Sequence, residues 1–126
     1  MSTYPWAAGF IDDGDRPQVV TSRFGYADSY TLDRYHATGG YDGLRRALGL
    51  SATAVHDEVK GATVLGRGGA GFPAGTKWGL LPAGKFPRYL VVNGDESEPG
   101  TYKDRLLMEL DPHQLIELHQ QAILVG

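Results

Sequence analysis

The sequence predicts an α/β fold in which a helical lead-in precedes the first part of a domain whose sheet is incomplete in this chain. Apolar residues recur at helical spacing in the first half of the chain and again near its C-terminus. One apolar run, Tyr-Leu-Val-Val at residues 89–92, is typical of a buried strand. Since a lone strand cannot pair its own backbone groups, we expect either further short strands in other apolar stretches of the chain or a sheet completed by residues absent from it.

Two parts are expected along the chain. Residues 1–28 are rich in turn formers and predict an extended N-terminal arm that packs on another surface. Residues 29–126 hold the helical lead-in and the start of the α/β domain. Thr31 is a suitable N-cap for a first short helix, which the Gly39-Gly40 pair is expected to end.

Further helices are predicted from their end signals. A second helix is expected to end at Gly49, and a third to run from an N-cap at Ser51 to Gly61. Residues 103–110 predict another short helix. The Asp-Pro pair at 111–112 supplies an N-cap and a first-turn proline for the last helix.

Composition excludes several classes of function. The 126 residues carry a net charge of -3, which argues against a nucleic-acid partner. No apolar run approaches the roughly 20 residues that span a membrane, and the N-terminus lacks a secretory pattern, so a cytoplasmic location is expected. Without cysteine the chain has no thiolate metal site. The four histidines form no zinc motif and are predicted to be surface or cap residues, so no metal ligand is expected.

A glycine-dense segment at residues 66–78 is the clearest functional motif, and it reads Gly-Arg-Gly-Gly-Ala-Gly-Phe-Pro-Ala-Gly-Thr-Lys-Trp. Glycine makes up 18 of the 126 residues, about twice its usual share. Glycines permit positive φ and let backbone N–H groups approach a ligand, while Arg67 and Lys77 add positive charge. Together these features favour a bound nucleotide that carries phosphates.

Two common nucleotide motifs fit this region poorly. Residues 66–71 match Gly-x-Gly-x-x-Gly, but a dinucleotide crossover needs a strand before the motif and a helix after it. The preceding residues predict the end of a helix, and residues 72–75 are not expected to begin a regular one. Residues 79–86 resemble a P-loop, except that Phe86 stands where Ser or Thr must hold magnesium.

An acidic segment follows the predicted strand, and residues 93–101 read Asn-Gly-Asp-Glu-Ser-Glu-Pro-Gly-Thr. Asn93, Asp95, Glu96 and Glu98 provide acceptors for ribose or ribityl hydroxyls. Asn-Gly-Asp and Pro-Gly are also ordinary turn sequences, so a solvated acidic turn is the alternative interpretation.

Several long segments occur in an order that identifies a family. They are residues 66–78, residues 93–105 (continuing as Tyr-Lys-Asp-Arg after the acidic segment) and Asp-Pro-His at 111–113. These segments resemble the flavoprotein subunit of respiratory complex I, the NADH:quinone oxidoreductase, which binds FMN and NADH. Residues 29–41 resemble the helical lead-in of that family, and the similarity extends over most of the chain from about Arg23.

The resemblance implies a role for each matching residue. Residues expected to lie along FMN are Gly66, Arg67, Gly68 and Lys77. Those expected to reach its polar tail and ring edge are Asn93, Asp95 and Glu96. NADH is expected to approach at Gly69 and Gly71, to stack its adenine on Phe72 and to place its nicotinamide near Glu98. Hydride passes between the two cofactors, so no catalytic side chain is expected.

The resemblance also implies an assembly. FMN and NAD(H) are the expected cofactors, and a [4Fe–4S] cluster is expected only in a C-terminal part that this chain lacks. The expected partners are a neighbouring [2Fe–2S] subunit and a larger iron–sulfur subunit, at the cytoplasmic face of the cell membrane. Gly94 and Leu80 depart from the family pattern, in which Ala and an aromatic residue are usual.

Two other functions are compatible with the sequence. The same motifs occur in flavin subunits of NAD-linked hydrogenases and formate dehydrogenases. A truncated, non-catalytic homologue that binds a nucleotide or a partner is the other alternative, and this chain alone is expected to be inactive.

Overall fold

The computed structural model describes residues 17–82 and 84–125. The described part contains six helices: α1 Leu32–Ala37, α2 Asp42–Leu48, α3 Ala52–Gly61, α4 Ala74–Trp78, α5 Lys103–Leu110 and α6 Pro112–Val125. The chain divides into two compact units. The first unit comprises Met1–Tyr41 and Val92–Glu117, and the second comprises Asp42–Val91 and Leu118–Gly126. The first 16 residues of the predicted N-terminal arm lie outside the described residues.

Helix ends follow the predicted signals. The Thr31 hydroxyl accepts a hydrogen bond from the Arg34 N–H at 3.2 Å, as an N-cap does. Ser51 caps α3 in the same way through the Ala54 N–H at 3.2 Å. The bounds of α5 and the start of α6 also agree with prediction. These helix predictions are confirmed because each end is set by local chemistry.

The predicted strand at residues 89–92 is not confirmed, since the part of the chain that the structure describes contains no strand. Its side chains are largely open, with Tyr89 83% and Val91 85% exposed. A strand forms only where a neighbouring segment pairs with its N–H and C=O groups, and no described segment does so here. The described part of the chain is therefore helical, and the predicted α/β class is not confirmed.

The first unit has a small apolar core. Phe24, Leu106 and Leu110 are buried together, and Leu107 packs against them. Phe24 reaches this core from a series of turns, in which the Phe24 N–H donates to the Thr21 carbonyl at 3.0 Å. The last residues of the predicted arm are therefore wound into turns that pack on α5.

The second unit is built around the packing of α3 on α4. Val55 of α3 and Ala47 of α2 are its buried apolar residues. Gly75 of α4 is also buried, and a Cβ built there would lie 2.5 Å from the Lys60 Cα. Only glycine permits this close approach of two helix backbones. No helix among the described residues has the length and apolar character needed to cross a membrane.

Candidate functional site

The glycine loop (residues 66–72) is closed at its base by backbone contacts in the second unit. The Gly66 N–H donates to the Phe72 carbonyl at 2.8 Å, and the Ala74 N–H donates to the Val64 carbonyl at 2.8 Å. Between these bonds Leu65 and Pro73 form an isolated antiparallel bridge. The loop is thus a compact turn whose two ends are held together by backbone hydrogen bonds.

The backbone conformation of the loop requires glycine at some positions but not at others. Gly69 has a φ of 112° and Gly71 a φ of 63°, conformations that residues with a Cβ rarely adopt. A Cβ built on Gly66 would lie 3.0 Å from the Phe72 carbonyl oxygen. A Cβ on Gly68 would meet nothing within 4 Å, and its φ is not in the left-handed region. Nothing among the described residues of the second unit therefore explains glycine at position 68.

A helix follows the loop directly, so the prediction that residues 72–75 do not begin a helix is wrong. The α4 helix begins at Ala74, and Pro73 precedes it as N-cap with φ -63° and ψ 127°. Proline fits here because the first helical turn leaves backbone N–H groups without intrahelical partners in any case. His56 of α3 holds this helix in place, with its Nε2 2.6 Å from the Gly75 carbonyl oxygen.

The charged and aromatic candidates of the second unit lie around this loop. Arg67 lies within it and Lys77 on α4, and both are exposed. Phe72 ends the loop, and its side chain is 47% exposed. Lys77 also lines an apolar cavity of about 760 Å³, together with Trp78, Leu81, Phe86 and Ile123.

The acidic segment (residues 93–98), in the first unit, forms turns closed by its own side chains. The Asp95 N–H donates to Asn93 Oδ1 at 2.9 Å, and Ser97 Oγ donates to the Asp95 carboxylate at 2.7 Å. Glu98 is exposed, and its carbonyl accepts from the Thr101 N–H at 3.1 Å across a turn with Gly100 at φ 81°. The segment is therefore an exposed turn in which local hydrogen bonds partly occupy the acceptors of Asn93 and Asp95.

Glu96 has different surroundings from the other acids of this segment. Its side chain is half-buried, and its two carboxylate oxygens accept hydrogen bonds from the first turn of α5. The Asp104 N–H donates to Oε1 at 2.7 Å, and the Arg105 N–H donates to Oε2 at 3.2 Å. The predicted FMN contact at Glu96 is thus a group already engaged by backbone donors.

The candidates fall in both units. Those of the second unit are Gly66, Arg67, Gly68, Gly69, Gly71, Phe72 and Lys77. Those of the first unit are Asn93, Asp95, Glu96 and Glu98. Among the described residues no three His, Cys, Asp or Glu side chains are grouped closely enough to hold a metal ion.

A buried polar cluster in the first unit was not predicted from the sequence. Tyr35 donates its hydroxyl to Glu117, whose carboxylate also accepts from the Tyr41 N–H at 2.8 Å. Arg23 pairs with Asp111, Nε to Oδ2 at 2.8 Å, and its guanidinium lies 4.5 Å from the centre of the Tyr35 ring. Burial first, and then the hydrogen bond to Glu117, raises the pKa of Tyr35.

Histidine also takes part in this cluster, since His113 Nδ1 lies 2.9 Å from the Tyr41 hydroxyl. His56 and His113 are both half-buried, so the prediction of histidines at the surface or at caps does not describe them fully. The partners Arg23 and Asp111 are 88 positions apart, and no local pattern signals such a pair.

Comparison with known proteins identifies the family. Residues 59–124 match the Nuo51 FMN-binding domain of the complex I 51 kDa family, and the chain belongs to this family. This match contains both the glycine loop and the acidic segment. The predicted family resemblance is therefore confirmed.

Individual relatives agree with this assignment. The chain is 55% identical over 93 residues to the NADH-quinone oxidoreductase F subunit 2 of Rhizobium meliloti (strain 1021), a match that covers 71% of this chain and 22% of that protein. It is 55% identical over 89 residues to the corresponding F subunit of Escherichia coli (strain K12), with 68% and 20% covered. The NADP-reducing hydrogenase subunit HndC of Solidesulfovibrio fructosivorans is 41% identical over 101 residues, with 79% and 20% covered. The chain spans about a fifth of the length of these relatives.

Proposed function

We propose that this chain forms part of a flavoprotein that oxidises NADH by hydride transfer to FMN, from which electrons pass through iron–sulfur clusters toward quinone. The observation that carries the proposal is the glycine loop, which lies within a match to an FMN-binding family. Its Gly68 has no role in local packing or backbone geometry. A ligand that lies close to the backbone would explain why glycine occupies position 68.

The residues present fit the flavin. A Cβ at Gly68, Gly69 or Gly71 would project into open space, which is the space that a planar group laid against the backbone would fill. Exposed Arg67 and Lys77 supply positive charge for phosphate or for a flavin oxygen. Asn93 and Asp95 carry exposed acceptors suited to ribityl hydroxyls.

Within this proposal the protein binds and orients the two cofactors. FMN, when bound, supplies the hydride-accepting ring. Gly69 and Gly71 would keep the backbone free of side chains where NADH approaches, and the exposed Phe72 ring would stack on its adenine. Exposed Glu98 would lie near the nicotinamide end of NADH. No side chain of this chain acts as nucleophile or general base.

The proposal extends to an assembly at the membrane surface. Relatives named as subunits of NADH-quinone oxidoreductase support a place in a multisubunit complex. The partners proposed are a neighbouring [2Fe–2S] subunit and a larger iron–sulfur subunit, with the whole peripheral to the cytoplasmic face of the cell membrane. The [4Fe–4S] cluster is assigned to polypeptide outside these residues, because the chain contains no cysteine.

A second candidate is the flavin subunit of an NAD(P)-linked hydrogenase. The match to the hydrogenase subunit HndC favours it, although at 41% identity against 55% for the two quinone oxidoreductase subunits. The two candidates share the FMN site and differ in the partner that exchanges electrons with the flavin. Copurification of the natural complex, with assays for quinone reduction and hydrogen oxidation, separates them.

The test uses the natural gene product that contains this sequence, stripped of flavin and titrated with FMN. We expect saturable binding, followed by loss of the visible flavin absorbance when NADH is added without oxygen. Gly68→Ala is expected to leave the free energy of unfolding within about 0.5 kcal/mol of wild type, since a Cβ there meets nothing. The same variant should weaken FMN binding by about tenfold or more, because its methyl group occupies ligand space.

Three outcomes contradict the proposal at different points. Absence of FMN binding by the wild-type protein rules out the flavin site. FMN binding without loss of absorbance on adding NADH favours the non-catalytic homologue. Equal FMN affinity of wild type and Gly68→Ala removes the glycine loop from the site.

A further inference from the structure

We infer that Glu96 is a positioning residue, which fastens the acidic segment to the first turn of α5 and thereby sets the places of Asn93 and Asp95. As far as it concerns the flavin, this inference rests on the proposed function. It assigns Glu96 a role different from the direct FMN contact that the family resemblance implies. Three features of the first unit support it.

The α5 helix lacks an end cap of its own. Its N-cap residue, Tyr102, makes no side-chain hydrogen bond to the helix. The first backbone N–H groups of a helix have no intrahelical partners and need acceptors from elsewhere. An acceptor with negative charge is favoured there, since the helix dipole places partial positive charge at this end.

Glu96 supplies both acceptors from outside the helix. Its Oε1 accepts from the Asp104 N–H at 2.7 Å and its Oε2 from the Arg105 N–H at 3.2 Å. The second and third residues of α5 are thus held by a single carboxylate, eight and nine positions earlier in the chain. The half-buried Glu96 carboxylate therefore connects the acidic segment to α5, and we call its two hydrogen bonds to the helix the brace.

The brace lies within the turns that hold the neighbouring acceptors. Asp95 is adjacent to Glu96, and its N–H donates to Asn93 Oδ1 at 2.9 Å. On the other side Ser97 Oγ donates to the Asp95 carboxylate at 2.7 Å. These contacts are short-range and solvent-exposed, so by themselves they fix only the shape of the turn. The contact through Glu96 fixes where that turn lies on the helix.

The experiment compares three variants of the natural gene product that contains this sequence, first without flavin. Glu96→Gln keeps the side-chain length but offers one acceptor in place of two, and Glu96→Ala offers none. Asp104→Asn is the matched control, because it removes one negative charge from the same helix end and leaves both Glu96 bonds possible. Hydrogen exchange is measured at the amides of Asp104 and Arg105, and the FMN dissociation constant is then measured at a temperature where every variant is folded.

We expect exchange at these two amides to accelerate by about tenfold or more in Glu96→Ala, less in Glu96→Gln and little in Asp104→Asn. FMN affinity should fall in the same order, by about tenfold in Glu96→Ala. A role in stability alone would lower the melting temperature and leave the FMN dissociation constant of the folded variants unchanged. The affinity measurement therefore separates positioning from stability.

Several results overturn the inference. Unchanged exchange at Asp104 and Arg105 in Glu96→Ala rules out the brace, and weaker FMN binding in that case would make Glu96 a direct ligand. Faster exchange with unchanged FMN affinity rules out the positioning role. Failure of the wild-type protein to bind FMN contradicts the proposed function instead, and the exchange measurement still tests the brace because it needs no flavin.

Discussion

Single residues of the first unit show how a buried carboxylate is accommodated. Glu117 is 7% exposed and accepts from the Tyr35 hydroxyl and the Tyr41 N–H. Both donors bind the same carboxylate oxygen, Oε2, so loss of the Tyr35 hydroxyl leaves this buried oxygen with one donor fewer, which costs more than loss of an exposed hydrogen bond. Tyr35 joins α1 to this carboxylate, so its hydroxyl is expected to matter for the stability of the lead-in.

Tyr35→Phe is expected to lower the free energy of unfolding by about 1–3 kcal/mol. The substitution keeps the ring that lies beneath the Arg23 guanidinium, so it isolates the hydroxyl. Urea unfolding measures the change, with Tyr30→Phe as the control because Tyr30 is 51% exposed. Equal losses in the two variants would contradict a special role for the bond to Glu117.

Asp111 leads to a prediction about pH. Burial raises the pKa of Asp111 by more than the neighbouring Arg23 guanidinium lowers it, and one of its oxygens is buried without a hydrogen-bond partner. A carboxyl with a raised folded-state pKa binds its proton more tightly in the folded chain than in the unfolded one. Its titration therefore costs stability as the pH rises from its unfolded pKa of about 3.9 toward the higher folded value.

The measurement is the difference in unfolding free energy between wild type and Asp111→Asn at a series of pH values. We expect the stability of wild type relative to the variant to decrease as the pH rises above about 4, and then to level off. The ion pair with Arg23 is already included in the folded-state pKa of Asp111, so its loss in the variant does not alter the expected direction. A relative stability that increases over this range would mean that the ion pair outweighs burial.

At the scale of elements, the packing of α3 against α4 determines where the glycine loop lies. Gly75→Ala would place a Cβ 2.5 Å from the Lys60 Cα, so the helices must separate. We expect a loss of about 1–3 kcal/mol in unfolding free energy, the usual scale for overpacking. Gly61→Ala, in α3, is the matched control, because a Cβ there meets nothing within 4 Å. Similar stability of the two variants would show that the contact adjusts at little cost.

Sequence patterns predicted the helices much better than the strand. Thr31 and Ser51 specify helix starts through bonds to residues three positions away, so local chemistry is enough. The strand at 89–92 depends on a pairing partner that no local pattern can supply. The start of α4 was missed because residues 72–75 carry helix breakers, yet Pro73 stands just before the first turn, where it is tolerated.

The sequence predicted which motifs belong to the candidate site, but it did not predict how their residues are arranged in space. The glycines at 69 and 71 have the positive φ that a glycine-rich loop implies. The support from His56 to the Gly75 carbonyl was not predicted, because its residues are 19 positions apart. The brace from Glu96 to α5 was also missed, since acidic residues in a turn read equally well as ligands or as solvated groups. Contacts between segments decide among such alternatives, and the periodicity of a sequence does not reveal these contacts.

At the scale of the whole molecule, the chain exposes a large apolar surface in its second unit. The cavity of about 760 Å³ there is lined mainly by apolar and aromatic side chains. Among the side chains in its lining, Phe86 is 74% exposed and Ile123 of α6 is 62% exposed. Exposed apolar patches of this kind mark surfaces that other groups cover.

The final prediction is that this 126-residue chain binds ANS, an anionic dye whose aromatic rings bind exposed apolar surfaces, in that cavity. Ile123→Gln is expected to lower the dye fluorescence by about half, because it places a polar group in the lining. Leu48→Gln is the matched control, since Leu48 is 64% exposed on α2 and does not line the cavity. Both substitutions are at helix surfaces, so each should change the free energy of unfolding by less than about 0.5–1 kcal/mol. Equal fluorescence of the two variants would place the dye elsewhere, whereas a loss confined to Ile123→Gln identifies the cavity as the exposed apolar surface of the second unit.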